Sequence, residues 1–338
     1  MWSEETLDGM LCTPSGALIE DMGRICGDIM ILGAGGKMGP SLAMLAKRAS
    51  DAEGSARRVI AVSRFSDPSV LALLNGSGIQ TVEADLLEEG ALQALPDCPN
   101  VLYMAGRKFG TGGTEPLTWA MNAWLPSRVA ERFRSSNIVV FSSGNIYPML
   151  PISSGGATEG TAPAPVGEYA MSCLARERVF EYASQRYGTP VLLYRLNYAV
   201  DLRYGVLDDI ARNLLAGRSV SLTTPAFNCI WQGSANEMAI RCLLHCASPA
   251  AKLNITGPET VSIRYAANNL GKLLGCEPVL EGVEGELAYL NNSMKATALF
   301  GYPSVSAETL IQWQAEWIQS GGRSLGKPTH FEERKGNY

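Results

Sequence analysis

Residues 28–49 read DIMILGAGGKMGPSLAMLAKRA, in which a short apolar run is followed by a glycine-dense turn and then by apolar residues at helical spacing. This order predicts one β-strand, a tight turn and one amphipathic α-helix. Gly33, Gly36 and Gly39 lie between the strand and the helix. Where a helix begins directly after such a turn, its free N–H groups and the positive end of its dipole favour a negatively charged ligand.

The alternation of apolar strands and amphipathic helices continues along the chain. The strand-like segments are RVIAVSRF, IQTVEADL, NVLYMAG, SNIVVFSS and PVLLYRLNY, and the helical ones are TEPLTWAMNAWLPSRVAERF and EYAMSCLARERVFEYASQRYG. This alternation predicts an α/β fold of the Rossmann type, with a doubly wound parallel sheet. After Asp201, helices joined by short strand-like pieces such as SVSL and KLNIT predict a smaller, mostly helical C-terminal lobe.

Four regions follow from this pattern. We predict an N-terminal helical extension at 1–27, a dinucleotide-binding domain at 28–200, a substrate-binding lobe at 201–320 and a C-terminal tail at 321–338. The tail is rich in glycine and charge, so it is expected to be either mobile or draped over the surface.

The composition excludes several classes of protein. The 338 residues are 46% hydrophobic and 18% charged, which is typical of a globular chain able to bury a large core. The formal net charge of -5 offers no basic field for a nucleic acid. Acidic residues occupy the N-terminus in place of a signal peptide's basic ones, and no apolar run reaches the roughly 18 residues of a membrane helix. The sequence therefore predicts a soluble cytoplasmic protein with no membrane partner.

Cysteine and histidine usage argues against a metal centre. The eight cysteines are scattered through apolar contexts, as expected for reduced, buried thiols. Cys242, His245 and Cys246 lie close together, but they fall in one predicted helix with no second group of ligands. Only two histidines are present, so neither a His-rich metal site nor a Ser-His-Asp triad is expected.

The glycine turn predicts a dinucleotide site because it stands between a strand and a helix. One glycine permits the tight turn, one lets backbone amides approach a diphosphate, and one allows the helix to pack closely on the strand. The amides of Lys37 and Met38 are expected to meet the phosphates.

The ends of the next strands supply the remaining candidates for cofactor contacts. Ser63 and Arg64 end the second strand where an NAD enzyme usually has a carboxylate, which favours NADP, although a solvated Arg64 with NAD bound is the alternative. Asp85 and Leu86 follow the third strand beside the expected adenine site. Ala105 and Gly106 follow the fourth strand, at the edge of the sheet where ligands bind in such folds.

Several segments together resemble the extended short-chain dehydrogenase/reductase family, the NAD(P)-dependent epimerase/dehydratase group, over roughly residues 28–318. The segments are the glycine turn, VVFSSGNIYP at 139–148, EYAMSCLARERVFEY at 168–182, NITGPETVSI at 254–263 and LFGYPSVSAETLIQWQAEWI at 299–318. The resemblance implies that Tyr169 is the general acid/base, that Ser143 polarises the substrate oxygen and that Asn122 supports the site as one of the cofactor contacts. It also implies a homodimer formed through the helices at 116–134 and 169–187.

One position departs from the family. Its Tyr-x-x-x-Lys motif is replaced here by Tyr169 followed four residues later by Cys173. The missing lysine normally lowers the phenol pKa and binds the nicotinamide ribose. A free phenol titrates near about 10, so base catalysis at pH 7 carries a penalty of roughly 4 kcal/mol, whereas reduction uses the protonated phenol. Lys108 is the candidate replacement, Arg107 is the alternate, and both could instead be surface charges.

Two functions remain open from the sequence. The first is an oxidoreductase, epimerase or dehydratase that uses NADP, or else NAD, on a small sugar or sugar-derived hydroxy-carbonyl compound, with Asn145, Asn197 and Arg203 as candidate substrate contacts. The second is a catalytically inert NAD(P)-binding sensor or scaffold, suggested by the missing lysine. The presence of both Ser143 and Tyr169 favours the enzyme, because an inert protein has no physical need for either.

Overall fold

The computed structural model describes residues 2–108, 113–327 and 329–336. The helices are α1 Glu4–Leu11, α2 Gly16–Met22, α3 Gly39–Glu53, α4 Pro68–Gly76, α5 Glu115–Trp119, α6 Leu125–Arg132, α7 Gly167–Tyr187, α8 Val206–Leu215, α9 Gln232–Arg241, α10 Ile263–Leu274, α11 Met294–Phe300 and α12 Ala307–Gln319. A π-helical turn, Ala120–Trp124, joins α5 to α6. No helix in these described ranges is both long and apolar enough to cross a membrane.

The longer strands build one sheet. The strands are β1 Ile29–Leu32, β2 Val59–Ser63, β3 Gln80–Glu83, β4 Asn100–Tyr103, β5 Asn137–Ser143, β6 Leu150–Pro151, β7 Val191–Leu196, β8 Ala199–Val200, β9 Val220–Ser221, β10 Ala226–Phe227, β11 Ile230–Trp231, β12 Ala251–Ile255, β13 Val261–Ser262, β14 Leu280–Glu281 and β15 Leu287–Ala288. Seven of them form a parallel sheet in the order β12-β7-β5-β4-β1-β2-β3. The predicted doubly wound Rossmann fold is confirmed.

The sheet is covered on both faces, which explains its nearly continuous apolar strands. In β1, Ile29 and Ile31 belong to one buried cluster, and Met30 and Leu32 belong to the cluster on the opposite face. Successive side chains of a strand point to opposite faces, so a four-residue strand that is buried throughout requires helices on both sides. The order of strands reverses between β1 and β4, and a crevice at that point is where ligands bind in open α/β sheets.

The KLNIT segment lies in a different place from the one predicted. The sequence assigned it to the C-terminal lobe, whereas the structure makes it β12, the edge strand of the main sheet, paired in parallel with β7. Leu253 and Ile255 are buried there. Only the first part of the lobe is therefore an excursion of the chain between two neighbouring strands; α10 and α12, which follow β12, pack against α8 of that part. Local periodicity does not indicate that the chain returns to the sheet in this way.

Both ends of the chain pack on the main body. Ser3 and Ser15 cap α1 and α2 by accepting hydrogen bonds from backbone amides, and the buried faces of these helices lie against α3 and α9. In the tail, Phe331 is buried in the core. The Arg334 guanidinium donates to the carbonyl of Thr223, so the described part of the tail runs across the lobe rather than away from it.

Candidate active site

The three glycines of the turn have different surroundings. Gly33 has a φ of +96°, and a Cβ there would lie 2.6 Å from the amide nitrogen of Ala105. A Cβ on Gly39 would lie 2.2 Å from the Ala34 carbonyl oxygen. Gly36 is exposed, and the nearest atom to an added Cβ is the Gly33 carbonyl oxygen at 3.5 Å. The fold thus requires Gly33 and Gly39, whereas Gly36 keeps open a face that a ligand can approach.

A cleft of about 220 Å³ opens over this turn at the ends of the first four strands. Eight of the predicted cofactor residues line it, namely Gly33, Gly36, Ser63, Arg64, Asp85, Leu86, Ala105 and Gly106. No side chain caps the first turn of α3, so its amides are available to an anion. The open face of Gly36, the uncapped helix and the cleft together fit the diphosphate and adenosine of a dinucleotide.

A second cavity, of about 190 Å³, begins on the other side of the same turn. The residues lining it are Lys37, Met38, Lys108, Ser142, Ser143, Asn145, Tyr169, Leu196, Asn197, Tyr198, Ala199, Val200, Tyr204, Gly205 and Thr329. The side chains of Lys37 and Met38 therefore belong to this cavity and not to the dinucleotide cleft. The structure also brings together the predicted catalytic residues here, although they come from β5, α7 and the segment after β4. After these predicted residues we call this space the catalytic cavity.

The hydroxyl groups of Ser143 and Tyr169 lie together in this cavity. Ser143 ends β5, and its hydroxyl accepts a hydrogen bond from the backbone amide of Asn145 at 3.1 Å. Tyr169 is half-buried in the first turn of α7 and shares a side-chain hydrogen bond with Ser143. Burial raises the pKa of the phenol well above its usual value; the nearby Cys173 thiol raises it further, and the hydrogen bond with Ser143 opposes the rise. At neutral pH the phenol is therefore a proton donor.

Lys108, the candidate replacement for the family's lysine, lines the same cavity as this pair. Its ammonium is 5.8 Å from the centre of the Tyr169 ring. Burial lowers the pKa of Lys108 to about 8, while Cys173 and Asp209 act in the opposite direction. Cys173 is buried in a small apolar cluster, and burial raises the pKa of its thiol, so it packs as a neutral residue. Arg107, the alternate candidate, donates instead to the hydroxyl of Thr114 at 3.1 Å and lines neither cavity.

Asn122 lines neither cavity, although the sequence placed it among the cofactor contacts. Its amide oxygen accepts hydrogen bonds from the Arg107 amide and the Arg176 guanidinium, both at 2.8 Å. Its amide nitrogen donates to the Arg107 carbonyl at 2.8 Å and the Ser172 hydroxyl at 3.0 Å. A primary amide has no further hydrogen-bonding capacity. Asn122 therefore holds the segment before Lys108 against α7 and is a positioning residue.

A buried ion pair supports the floor of the site. The Arg195 guanidinium lies 2.7 Å from the Glu177 carboxylate, and these side chains are 1% and 0% exposed. The Ser142 hydroxyl donates to the same carboxylate at 2.6 Å. This network ties the end of β5 to α7 and β7, so the positions of Ser143 and α7 are coupled.

The predicted substrate contacts divide into two groups. Asn145 and Asn197 line the catalytic cavity. Arg203 does not, because its guanidinium contacts Asp201 at 2.9 Å and also Glu4 and Asp8 of α1, at 2.8 and 2.9 Å. It anchors the N-terminal extension to the lobe, an arrangement that no local pattern around residue 203 indicates.

A family model described as the NAD dependent epimerase/dehydratase family matches residues 29–224, more than half of the chain. The chain belongs to that family. Its members are extended short-chain dehydrogenases/reductases, as the sequence resemblance implied, and that expectation is confirmed. A comparison with curated protein sequences gives no significant match.

Solved structures share the fold of this epimerase/dehydratase-family chain. UDP-glucuronic acid 4-epimerase from Bacillus cereus is 16% identical with a TM-score of 0.71, and the match covers 87% of this chain and 99% of the epimerase. UDP-glucose 4-epimerase from Thermotoga maritima is 16% identical with a TM-score of 0.70, covering 87% and 99%. The dTDP-glucose 4,6-dehydratase from Streptomyces venezuelae is 18% identical with a TM-score of 0.72, covering 87% and 97%.

Two contributors to the site were missed by the sequence analysis. Thr329 of the tail is buried against the catalytic cavity, and its amide and hydroxyl both donate to the Asp209 carboxylate. The Lys37 ammonium donates to the Ala199 carbonyl at 3.3 Å and lies 3.5 Å from the centre of the Tyr204 ring. The glycine-turn pattern predicts amides at residue 37 but says nothing of its side chain, and no signal in the tail marks Thr329.

Proposed function

We propose that this chain is an NAD(P)-dependent oxidoreductase, epimerase or dehydratase that acts by hydride transfer on a sugar or sugar-derived hydroxy-carbonyl compound. The observation that carries the proposal is the position of the Ser143–Tyr169 pair. It lies in a cavity that begins at the same glycine turn as the dinucleotide cleft. A substrate oxygen held by the two hydroxyls would therefore stand next to the reactive end of a dinucleotide in that cleft.

The dinucleotide would be held by the turn at 33–39 and the ends of β2, β3 and β4. Once bound, it supplies or takes up the hydride. We propose NADP, with the Arg64 guanidinium and the Ser63 hydroxyl meeting the 2'-phosphate. Arg64 lies 3.7 Å from the Asp85 carboxylate, so this ion pair must open to admit the phosphate. The exposure of Arg64, whose side chain is 67% accessible, supports that rearrangement.

Tyr169 is proposed to give its proton to the substrate oxygen as that oxygen gains negative charge. Ser143 donates a second hydrogen bond to the same oxygen and holds the substrate in place. Because burial raises the phenol pKa, the reverse step, in which Tyr169 must first be ionised, costs more than the roughly 4 kcal/mol of an ordinary phenol at pH 7. The site therefore favours reduction unless a cation stabilises the phenolate.

Lys108 is proposed to be that cation. Its ammonium faces the Tyr169 ring at 5.8 Å, and Asn122 holds the segment that carries it. With its pKa at about 8, Lys108 is mostly charged at pH 7. A positive charge at this distance stabilises a phenolate and can bind ribose hydroxyls, which are the two roles that Cys173 cannot fill.

We also propose a homodimer formed through α5, α6 and α7. Large apolar side chains are exposed on these helices and the turn between them, namely Leu117, Trp119, Trp124, Met171 and Tyr182. These elements pack against one another, and exposed apolar side chains on neighbouring elements favour an interface. Sedimentation should give the mass of two chains, and Trp124→Glu should reduce it to one.

The decisive experiment separates the enzyme from the inert sensor or scaffold. Ser143→Ala and Tyr169→Phe are compared with the unmodified protein for binding of NADPH and NADH and for hydride transfer to a panel of sugar carbonyls. We expect both variants to bind the dinucleotide normally and to lose turnover. Tight binding with no hydride transfer by the unmodified protein would establish the sensor, and failure to bind either dinucleotide would refute both functions.

A further inference from the structure

The catalytic cavity contains more positive charge than proton transfer requires. Two lysines, Lys37 and Lys108, line it, and none of the described residues that line it is an aspartate or glutamate. Lys108 faces Tyr169, but Lys37 comes from the other side of the cavity and has no part in the proposed proton transfer. We propose that Lys37 binds a carboxylate of the substrate, so that the substrates are sugar acids rather than neutral sugars. This inference rests on the proposed function.

The contacts of Lys37 leave its charge unneutralised in the ligand-free protein. Its ammonium meets one backbone carbonyl, that of Ala199 at 3.3 Å, and the face of Tyr204. None of the ion pairs among the described residues includes Lys37. Asp201 is the carboxylate that most affects it, yet both oxygens of Asp201 are bound by Arg203, at 3.1 and 2.9 Å. A carboxylate brought by a ligand would be the first direct anionic partner of this ammonium.

The electrostatics of the pocket point in the same direction. Burial lowers the pKa of Lys37 to about 7; Asp201 opposes this, and the charges of Lys108 and Lys327 add to the lowering. A partly buried ammonium among other cations is unfavourable unless an anion joins it. Ammonium–carboxylate hydrogen bonds are about twice as strong as neutral ones, so a substrate carboxylate gains more here than a hydroxyl does.

The alternative partner for Lys37 is the diphosphate of the cofactor, because the residue belongs to the glycine turn. The direction of the side chain favours the substrate. The ammonium reaches Ala199 of β8 and Tyr204 before α8, on the side of Tyr169, whereas Gly36 and Arg64 line the separate dinucleotide cleft. The neutral groups of Asn145, Asn197 and Thr329 share the cavity with Lys37 and are suited to sugar hydroxyls.

The test uses matched pairs of probes that differ only in the carboxylate. UDP-glucuronic acid is compared with UDP-glucose, and free glucuronate with glucose, so that the contribution of the nucleotide is separated from that of the acid. Binding to the full chain, with and without NADPH, is measured by calorimetry for the unmodified protein, Lys37→Met and Lys37→Arg. We expect at least one acid to bind about 10- to 100-fold more tightly than its neutral partner, as a charge-assisted hydrogen bond provides. Lys37→Met should abolish that preference, and Lys37→Arg should retain most of it.

A second measurement excludes a merely structural role. Binding of the acid raises the pKa of Lys37, so near pH 8 the complex should take up a proton, seen as a dependence of the binding enthalpy on the buffer. Lys37→Met should lose this uptake. The proposal is overturned if neither acid binds, or if the acid and its neutral partner bind equally. It is also overturned if Lys37→Met weakens the binding of the acid and of its neutral partner alike, or weakens the binding of NADPH instead. Acid preference without hydride transfer would preserve this inference while refuting the proposed catalysis.

Discussion

Substitution of Gly36 by valine tests the dinucleotide site without testing the fold. An added Cβ at Gly36 meets no atom closer than 3.5 Å, and its φ lies outside the left-handed region, so the variant should fold normally. The valine side chain would instead occupy the face that a diphosphate must approach. If two amide–phosphate hydrogen bonds are lost, at about 1.5–3 kcal/mol each, the affinity falls by roughly 3–6 kcal/mol, or about 10²- to 10⁴-fold.

The matched control is Gly33→Ala, at a position in the same turn. Its Cβ would lie 2.6 Å from the Ala105 amide nitrogen, and its φ of +96° strains any residue other than glycine. We expect Gly33→Ala to lower the melting temperature by several degrees, whereas Gly36→Val should leave it within about 2 °C. NADPH and NADH titrations followed by fluorescence report the affinities, and thermal unfolding reports the fold. Affinity of Gly36→Val within threefold of the unmodified protein would refute the assignment of the turn to the diphosphate.

Four further outcomes are expected. Lys108→Ala should lower kcat at least about 100-fold without lowering the melting temperature, and near-normal turnover in this variant would remove Lys108 from the mechanism. The turnover of the unmodified protein should fall above about pH 8, because Lys108, with its pKa at about 8, loses its charge there. Arg64→Ala should weaken the binding of NADPH about tenfold and leave the affinity for NADH unchanged in parallel titrations. Asp209→Asn should loosen Thr329 and raise KM for the sugar substrate while the dinucleotide affinity stays constant. Lys37→Met should be more stable than the unmodified protein below about pH 7. Burial lowers the pKa of Lys37 from 10.5 to about 7, so the charged lysine destabilises the folded protein in that range. Thermal unfolding should show that the difference in stability shrinks as the pH rises toward 10.

The features predicted correctly are those encoded over short stretches of chain. Apolar periodicity and glycine spacing predict the strand, turn and helix at 28–49. Because the strands of the sheet are parallel, the ends of β2, β3 and β4 then lie along one edge. The same rule accounts for the place of Lys108 beside the end of β5, while the catalytic role of Lys108 stays a prediction. The positions of residues that directly follow a strand could therefore be predicted from the sequence.

The features that escaped prediction depend on pairs of residues far apart in the chain. Arg203 looked like a free cation near the site, but its partner Glu4 lies 199 positions away. Thr329 lies at the cavity and donates hydrogen bonds to Asp209, which is 120 positions away. The four hydrogen bonds of Asn122 are likewise formed with residues up to 54 positions away. Periodicity and motif spacing are local patterns, so they do not predict such contacts.

If Lys108 takes the role proposed for it, the family's catalytic lysine is replaced without a change of fold. A cation that assists Tyr169 must lie near the phenol and must be charged at the pH of the reaction. α7 no longer provides one, because residue 173 is a buried, neutral thiol. The segment after β4 ends at the same edge of the sheet, and Asn122 and Arg176 fix that segment to α7 through hydrogen bonds of 2.8 Å. In the proposed mechanism, the loss of Asn122 should therefore displace the segment that carries Lys108 and weaken catalysis through Lys108 rather than through the cofactor.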